Sequence, residues 1–408
     1  MTRRVVVTGS GIISSLGFDW ESFGANLKNG TSGIRYMESW DLYKDLSTRL
    51  GGPVEDFEVP AHYSRKKIRS MGRVSLMATR ATEVALENAG LLNDPILSSG
   101  RVGVSYGSST GSTDAIRDFG NMLVNHDMTG ITATTYIRMM SHSAPVNIGV
   151  FFGLKGRIIT TSSACTSGSQ GIGSAYEAIK YGKQDIMVAG GAEELCPSEA
   201  AVFDTLYATS TSNDSPNTTP RPFDRDRDGL VIGEGAGTLI LEEIEHARDR
   251  GANILAEIVG YGTNSDGGHV TQPNSDTMQI AMELSLMDAG VPHSVIGYVN
   301  AHGTATDRGD IAETNATARL LGNNMPISSL KGNLGHTLGA CGVIESWASI
   351  KMMNDGWFAP TLNLENPDDA CGDLDYLMGA GRNIDCEYVM NNNFAFGGIN
   401  TSLIFKRI

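Results

Sequence analysis

Ile158-Ile-Thr-Thr-Ser-Ser-Ala-Cys165-Thr-Ser-Gly-Ser-Gln-Gly171 and Ile327-Ser-Ser-Leu-Lys-Gly-Asn-Leu-Gly-His336 decide the fold. Each begins with a short apolar run of strand character, passes through small and polar residues, and enters a Gly-rich helix start. Glycine there lets one backbone approach another closely. Two such strand–turn–helix units, one in each half of the chain, predict an internal duplication.

The flanking sequence extends the pattern. Arg4–Val7, Val102–Tyr106, Arg157–Thr161, Asp185–Ala189, Thr238–Leu241 and Ile254–Val259 read as strands. Met77–Leu86 reads as helix, and Ile172, Ala175, Tyr176 and Ile179 fall on one helical face. The alternation then repeats: helix from about Met278, strand Gly297–Ala301, helix Ile311–Leu321, strand Pro326–Ser329, helix Ala340–Met353 and a last strand Thr401–Phe405. Thr209–Asp228 is polar and holds three prolines, so it reads as a long loop. The alternation predicts α/β layers, divided into halves 1–252 and 253–408.

Bulk properties remove several functions. A net charge of -15 over 408 residues speaks against general nucleic-acid binding. The five cysteines are odd in number and form no C-x-x-C pair, which argues against a zinc site and a disulfide framework. A reducing, cytoplasmic setting follows. The valines after Arg3 and Arg4 are too few for a signal core, and no stretch is apolar enough to span a bilayer. Gly9-Ser-Gly11 lacks the third glycine of a dinucleotide loop. Gly107-Ser-Ser109-Thr-Gly111 matches a hydrolase elbow, but it also reads as a Gly/Ser turn lining a pocket.

Three segments carry chemistry. Cys165 stands where a strand ends and a helix begins; free N–H groups and the helix dipole there favour thiolate and predict a lowered pKa. His302, in Asn300-Ala-His-Gly-Thr-Ala-Thr306, ends a strand and faces a cleft, with Asp310 and Glu313 on one face of the next helix. His336 lies five residues after Lys331 and nine before Glu345, a Lys–Glu pair suited to fixing its tautomer. A fourth segment, Asn391-Asn-Asn-Phe-Ala-Phe-Gly-Gly-Ile-Asn400, offers a backbone N–H donor loop and a pocket wall.

Taken in this order, these segments resemble the β-ketoacyl-[acyl-carrier-protein] synthases of types I and II, and the likeness runs from Arg3 to Ile408. Arg221-Pro-Phe-Asp-Arg-Asp-Arg-Asp-Gly-Leu-Val-Ile-Gly-Glu-Gly-Ala236 and Ala189-Gly-Gly-Ala-Glu193 resemble the family too. The resemblance implies a thiolase-like fold: two similar α/β halves in five αβαβα layers, with active sites in a dimer. It implies Cys165, His302, His336 and Lys331 as catalytic residues. The N–H groups of Cys165 and Phe396 would form the oxyanion hole, with Glu345, Asp310 and Glu313 in support. Thr304, Thr306, Phe394, Phe396, Thr110 and Leu230 would line the path of substrate and pantetheine arm. Arg65, Lys66, Lys67 and Arg69, with Arg73 nearby, would dock an acidic acyl carrier protein. No metal or separate cofactor is implied, because the substrates ride on the carrier's phosphopantetheine arm.

The chain departs from the family pattern in places. Ala395 replaces a frequent glycine in the Phe-x-Phe-Gly-Gly loop, Leu230 replaces an aromatic, Thr110 replaces an apolar residue, and Arg138-Met-Met-Ser-His-Ser143 is polar. These departures suggest a polyene or polyketide-like chain beside an ordinary fatty chain. They leave open a homodimer or a heterodimer with a chain-length-factor-like paralogue. A chain-length-factor role for this chain, or a coenzyme A-dependent thiolase, is the alternative activity.

Overall fold

A strand covered on both faces can be apolar at every position, and Val5–Ile13 (β1) is buried throughout. The computed structural model describes residues 2–408. The first half contributes β1, Val102–Gly107 (β2), Ile158–Thr160 (β3), Ile186–Glu193 (β4) and Gly235–Glu243 (β5). The second contributes Ala256–Ser265 (β6), Ile296–Asn300 (β7), Pro326–Ser328 (β8), Tyr388–Ala395 (β9) and Ile399–Lys406 (β10).

Across the first half the order is β3-β2-β4-β5-β1, and across the second it is β8-β7-β9-β10-β6. Both read third, second, fourth, fifth, first. The pairing directions match as well. The second strand of each half is parallel to both neighbours, and the fifth is antiparallel to both of its own. The halves meet where β1 pairs antiparallel with β6 at Val5–Val7. A short strand, Asp375–Tyr376, extends the edge beyond β8.

Period-two alternation sorts the strand side chains into layers. From β4, Met187 and Ala189 face inward, while Ile186 and Val188 face outward. The inner space holds helices Ser167–Lys180 (α3) and Cys341–Asp355 (α6), whose Ile172, Ile179, Val343 and Trp347 pack with Leu239, Val389 and Leu403 from both halves. Arg73–Asn88 (α1) and Ser143–Phe152 (α2) cover the outer face of the first half. Ser275–Ala289 (α4) and Asp307–Leu321 (α5) cover that of the second. The result is five layers, α-β-α-β-α. Cys341–Ile350 is buried at every position, as a helix between two sheets requires.

Element boundaries differ from the sequence reading at polar helix starts. α4 begins at Ser275 because the Asn274 side chain caps the N–H of Asp276 at 2.9 Å. α5 begins at Asp307, four residues before its apolar face. Thr209–Asp228 holds only a 3-10 turn, at Pro216–Thr218. Among the described residues no helix is long and apolar enough to cross a membrane.

Trp347 anchors the inner layer, edge-on to Phe23 at 5.0 Å and to Trp20 at 5.6 Å between ring centroids. Trp347→Ala should cost about 3–5 kcal/mol, read as a lower midpoint in chemical denaturation.

Candidate active site

Each half turns from its third strand into its inner helix through a residue in the left-handed region: Ala164 (φ 51°) and Leu338 (φ 45°). The first connection takes four positions, from Thr160 to Ala164. The second takes ten, from Ser328 to Leu338, and its extra length carries Lys331 and His336. The two helix starts face each other at the centre, so residues 171 apart in the chain meet: Cys165 Sγ lies 3.0 Å from His336 Nε2. His302, delivered by the end of β7, sets its ring edge-on to His336 at 5.0 Å. One ligand-type atom from each of these three side chains lies within 4.8 Å of the others.

The loop bearing His302 is held by its backbone. Glu313 accepts the N–H groups of His302 and Gly303, both at 2.7 Å. Asp310 accepts those of Thr304, Ala305 and Phe223 at 3.0, 3.2 and 2.8 Å. Burial pushes Asp310 up to about 6 and Glu313 up to about 8, while these N–H groups pull both back.

Lys331 is buried and paired with Glu345, whose other oxygen accepts Asn393 Nδ2 at 2.7 Å. Burial opposes the charge on Lys331 most strongly, but Glu345, Cys341 and Glu313 together raise the lysine pKa. Its ammonium and the Asn393 amide each stand 3.4 Å from His302 Nδ1. Both are donors, so Nδ1 accepts and the imidazole proton sits on Nε2. Burial, Lys331 and His336 hold His302 well below the usual histidine range; burial and Lys331 do the same to His336. Both rings are therefore neutral.

This geometry corrects four expectations. Lys331 serves His302, not the nearer-in-sequence His336, whose Nδ1 has no hydrogen-bond partner. The Cys165 thiol is not lowered by its helix: burial pushes it up to about 12, against the pull of Lys331 and of the N–H groups of Phe396 and Cys165 itself. Thr110 is absent from the cavity lining, because its hydroxyl turns to Glu193 and Glu199. Arg73 is not a free docking charge, since Glu234 holds it at 2.7 and 2.8 Å.

The structure gathers several of the residues singled out from the sequence around one cavity. A cavity of about 620 Å³ is lined by Cys165, His302, His336, Phe394, Phe396 and Leu230, with Thr304 and Thr306 on its wall. Ala395 ends β9 opposite Ile399, and the turn's positive φ falls on Gly397 and Gly398, so alanine fits without strain. Arg65, Lys66, Lys67 and Arg69 are exposed and form no ion pair among the described residues. Among the described residues no histidine bonds the Ser109 hydroxyl, which lies beside Glu193, and this removes the hydrolase reading. Sequence reasoning missed Asn393 as the second donor to His302 and Phe203, whose ring lies 5.1 Å from Phe396. The triple asparagine Asn391–Asn393 inside an otherwise apolar strand was the available signal for the first.

The chain is similar over its whole length to known proteins. Residues 2–247 match the family described as "Beta-ketoacyl synthase, N-terminal domain", and residues 255–365 match its "C-terminal domain". The chain is 40% identical over 415 aligned residues to a 3-oxoacyl-[acyl-carrier-protein] synthase 2 of Vibrio cholerae, covering 100% of this chain and 99% of that one. The crystal structure of a beta-ketoacyl synthase from Burkholderia phymatum superposes with a TM-score of 0.99 at 59% identity, with full coverage of both chains. The ishigamide ketosynthase/chain length factor follows at 0.92 and 32%, again with full coverage of both.

A thiol held up near 12 is mostly protonated at neutral pH, and its thiolate fraction grows as pH rises. Alkylation of Cys165 by iodoacetamide, followed by intact mass, should climb about tenfold per pH unit from neutrality with no plateau below pH ~10.

Proposed function

The chain belongs to the beta-ketoacyl synthase family, and from that premise we propose that Cys165 carries the growing acyl chain while His302 and His336 drive decarboxylation of a malonyl unit on acyl carrier protein. The reaction is a decarboxylative condensation that lengthens the acyl chain by two carbons. One observation carries the assignment of roles: the Cys165 thiol on His336 at 3.0 Å, beside a second neutral histidine and the N–H of Phe396.

In the first stage an acyl thioester reaches Cys165 with its pantetheine arm along Thr304 and Thr306. Sγ attacks the carbonyl carbon, and the bond to the carrier sulfur breaks. The thiol proton passes to His336 Nε2 and on to the departing carrier thiolate. The tetrahedral oxyanion faces the N–H groups of Cys165 and Phe396.

In the second stage malonyl-carrier protein loses CO2 and its thioester becomes an enolate. The enolate oxygen accepts from the Nε2–H groups of His302 and His336. Lys331 and Asn393 on Nδ1 keep the His302 proton facing the substrate. His336, with its Nδ1 unpartnered, can carry its proton on Nε2 once Cys165 is acylated and has no S–H to donate. Neutral donors in a buried site stabilise the developing charge without the cost of a buried imidazolium. In the third stage the carbanion attacks the acyl-Cys165 thioester. The β-keto product stays on the carrier, and the released thiolate takes up the one proton that decarboxylation consumes. Thiol, imidazoles and backbone supply every step, so the reading calls for no metal or separate cofactor.

An acidic carrier protein docks through Arg65, Lys66, Lys67 and Arg69 in this reading. A second subunit covers the edge strand β3, where Ile158 is exposed beside Val150 at the surface of α2. Unpaired strand edges and apolar side chains of this kind require a partner surface. That partner is a second copy or a chain-length-factor-like paralogue. A chain-length-factor role for this chain itself would leave Cys165 and its histidines without work. A thiolase would need a second reactive cysteine, whereas Cys341 lies off the cavity and donates to the Cys165 carbonyl at 3.2 Å.

Cys165→Ala should abolish both acylation, read by intact mass, and condensation, while CO2 release from malonyl-carrier protein persists because the histidines remain. Reversing charge at Lys67 and Arg69 together should raise the apparent KM for carrier-linked substrates about tenfold or more, with the effect fading at high salt. Unchanged KM values would reject the docking surface.

A further inference from the structure

The turn that presents Cys165 is strained. Ala164, directly before it, sits in the left-handed region at φ 51°, and a residue with a side chain stays there only where its surroundings hold it. Here the surroundings are side-chain donors set on consecutive backbone carbonyls. The carbonyl of Ser163 accepts from Thr166 Oγ1 at 2.8 Å and that of Ala164 from Ser167 Oγ at 2.7 Å. The carbonyl of Thr166 accepts from Ser169 Oγ at 3.1 Å and that of Ser167 from Thr161 Oγ1 at 2.8 Å. Each of these donors lies within 6 residues of its acceptor. One carbonyl in the run is served from elsewhere: that of Cys165 accepts from Cys341 Sγ at 3.2 Å, 176 residues further along the chain.

Cys341 is the first residue of α6, the inner helix of the second half, and is 1% exposed. Its proton stays on the sulfur, because burial and the Glu345 charge raise the thiol well above the usual range. Asn393 Nδ2 stands as a donor 3.7 Å from the same sulfur, which leaves the S–H for the Cys165 carbonyl. A thiol is a weak donor, but a hydrogen bond is stronger in a buried setting than in water.

This bond acts on the backbone of Cys165 from the side opposite its N–H. That N–H faces the residue's own sulfur, together with the N–H of Phe396. With the N–H committed on one side and the carbonyl held on the other, the Cα–Cβ bond keeps one direction, and Sγ stays 3.0 Å from His336 Nε2.

We infer that Cys341 is a positioning residue for the acylation step: its S–H, reaching across from the second half, sets the Cys165 peptide so that sulfur and N–H meet the incoming thioester together. The inference rests on the acyl-enzyme reading of Cys165. Cys341 is absent from the cavity lining, so it acts through the Cys165 backbone and not on the substrate. It also belongs to the apolar cluster that holds Cys165, Phe203 and Leu338, and a role in packing alone makes the opposite demand on a replacement. Alanine and serine leave nearly the same gap. Alanine keeps the cluster apolar and donates nothing, whereas serine donates at the cost of a hydroxyl among apolar groups.

The test is the rate at which Cys165 is loaded from a carrier protein bearing a saturated acyl chain, read by quenched intact mass across carrier concentrations. Cys341→Ala should lower the maximal loading rate about three- to tenfold and leave the half-saturating concentration unchanged, because the contacts to substrate are intact. Cys341→Ser should recover the wild-type rate to within about twofold, even where its melting temperature falls below that of Cys341→Ala. Wild-type loading by Cys341→Ala, an equal loss in both variants, or a change confined to the half-saturating concentration would overturn the inference and leave the acyl-enzyme standing. Failure of the wild type to load would overturn the acyl-enzyme reading itself.

Discussion

Three glycines in contact make the active site geometrically attainable. A Cβ on Gly168 would stand 2.9 Å from the carbonyl oxygen of Gly339, and one on Gly191 would overlap that same oxygen. Only hydrogen in place of side chains at these positions lets the starts of α3 and α6 approach through the strand β4. That approach brings Cys165 from one half against His336 from the other. A methyl group at either position would meet the Gly339 carbonyl and push apart the two helix starts that bring Cys165 and His336 within hydrogen-bond distance. The layered fold, with both helices buried on all sides, is what forces them to meet.

Burial at that meeting point then dictates the electrostatics. Taking charges out of water is costly, so titratable groups at the centre either pair or become neutral. Lys331 and Glu345 pair, and the lysine keeps its charge. Burial first, and that fixed cation second, lower both histidines, and the same cation pulls against the burial that raises the Cys165 thiol. A neutral imidazole can still donate from its one N–H, and the buried ammonium beside these rings adds to the burial that keeps them neutral. Breaking such a buried pair leaves one uncompensated charge, so it is also a structural commitment.

Duplication explains the division of labour. The two halves share strand order and pairing directions, yet the turn into the inner helix is short in one and long in the other. The short turn presents Cys165 at a helix start. The long one has room for the ion-pair lysine and a histidine. Neither half holds a complete site, and the shared contact at the centre makes the two a unit.

Much of this was legible in the sequence, because some properties depend only on neighbours along the chain. Hydrophobic runs and Gly-rich turns identified nine of the ten strands of the two halves, the inner helices and the duplication; β9 was read as a donor loop, because its triple asparagine interrupts the apolar run. The Asn300-Ala-His-Gly and Gly335-His-Thr-Leu-Gly-Ala contexts singled out the two histidines, and the small residues around Cys165 singled out the nucleophile. What the sequence could not supply are properties set by distance through space. Lys331 is five residues from His336 yet acts on His302, because sheet order places β7 beside β8. The Cys165 thiol is raised, not lowered, because desolvation by both halves outweighs one helix dipole. Arg73 is spent on Glu234, 161 residues away. Sequence spacing reports which groups are present and which local turn presents them. Burial and partnership, which decide charge and therefore chemistry, exist only once the two halves have closed on each other.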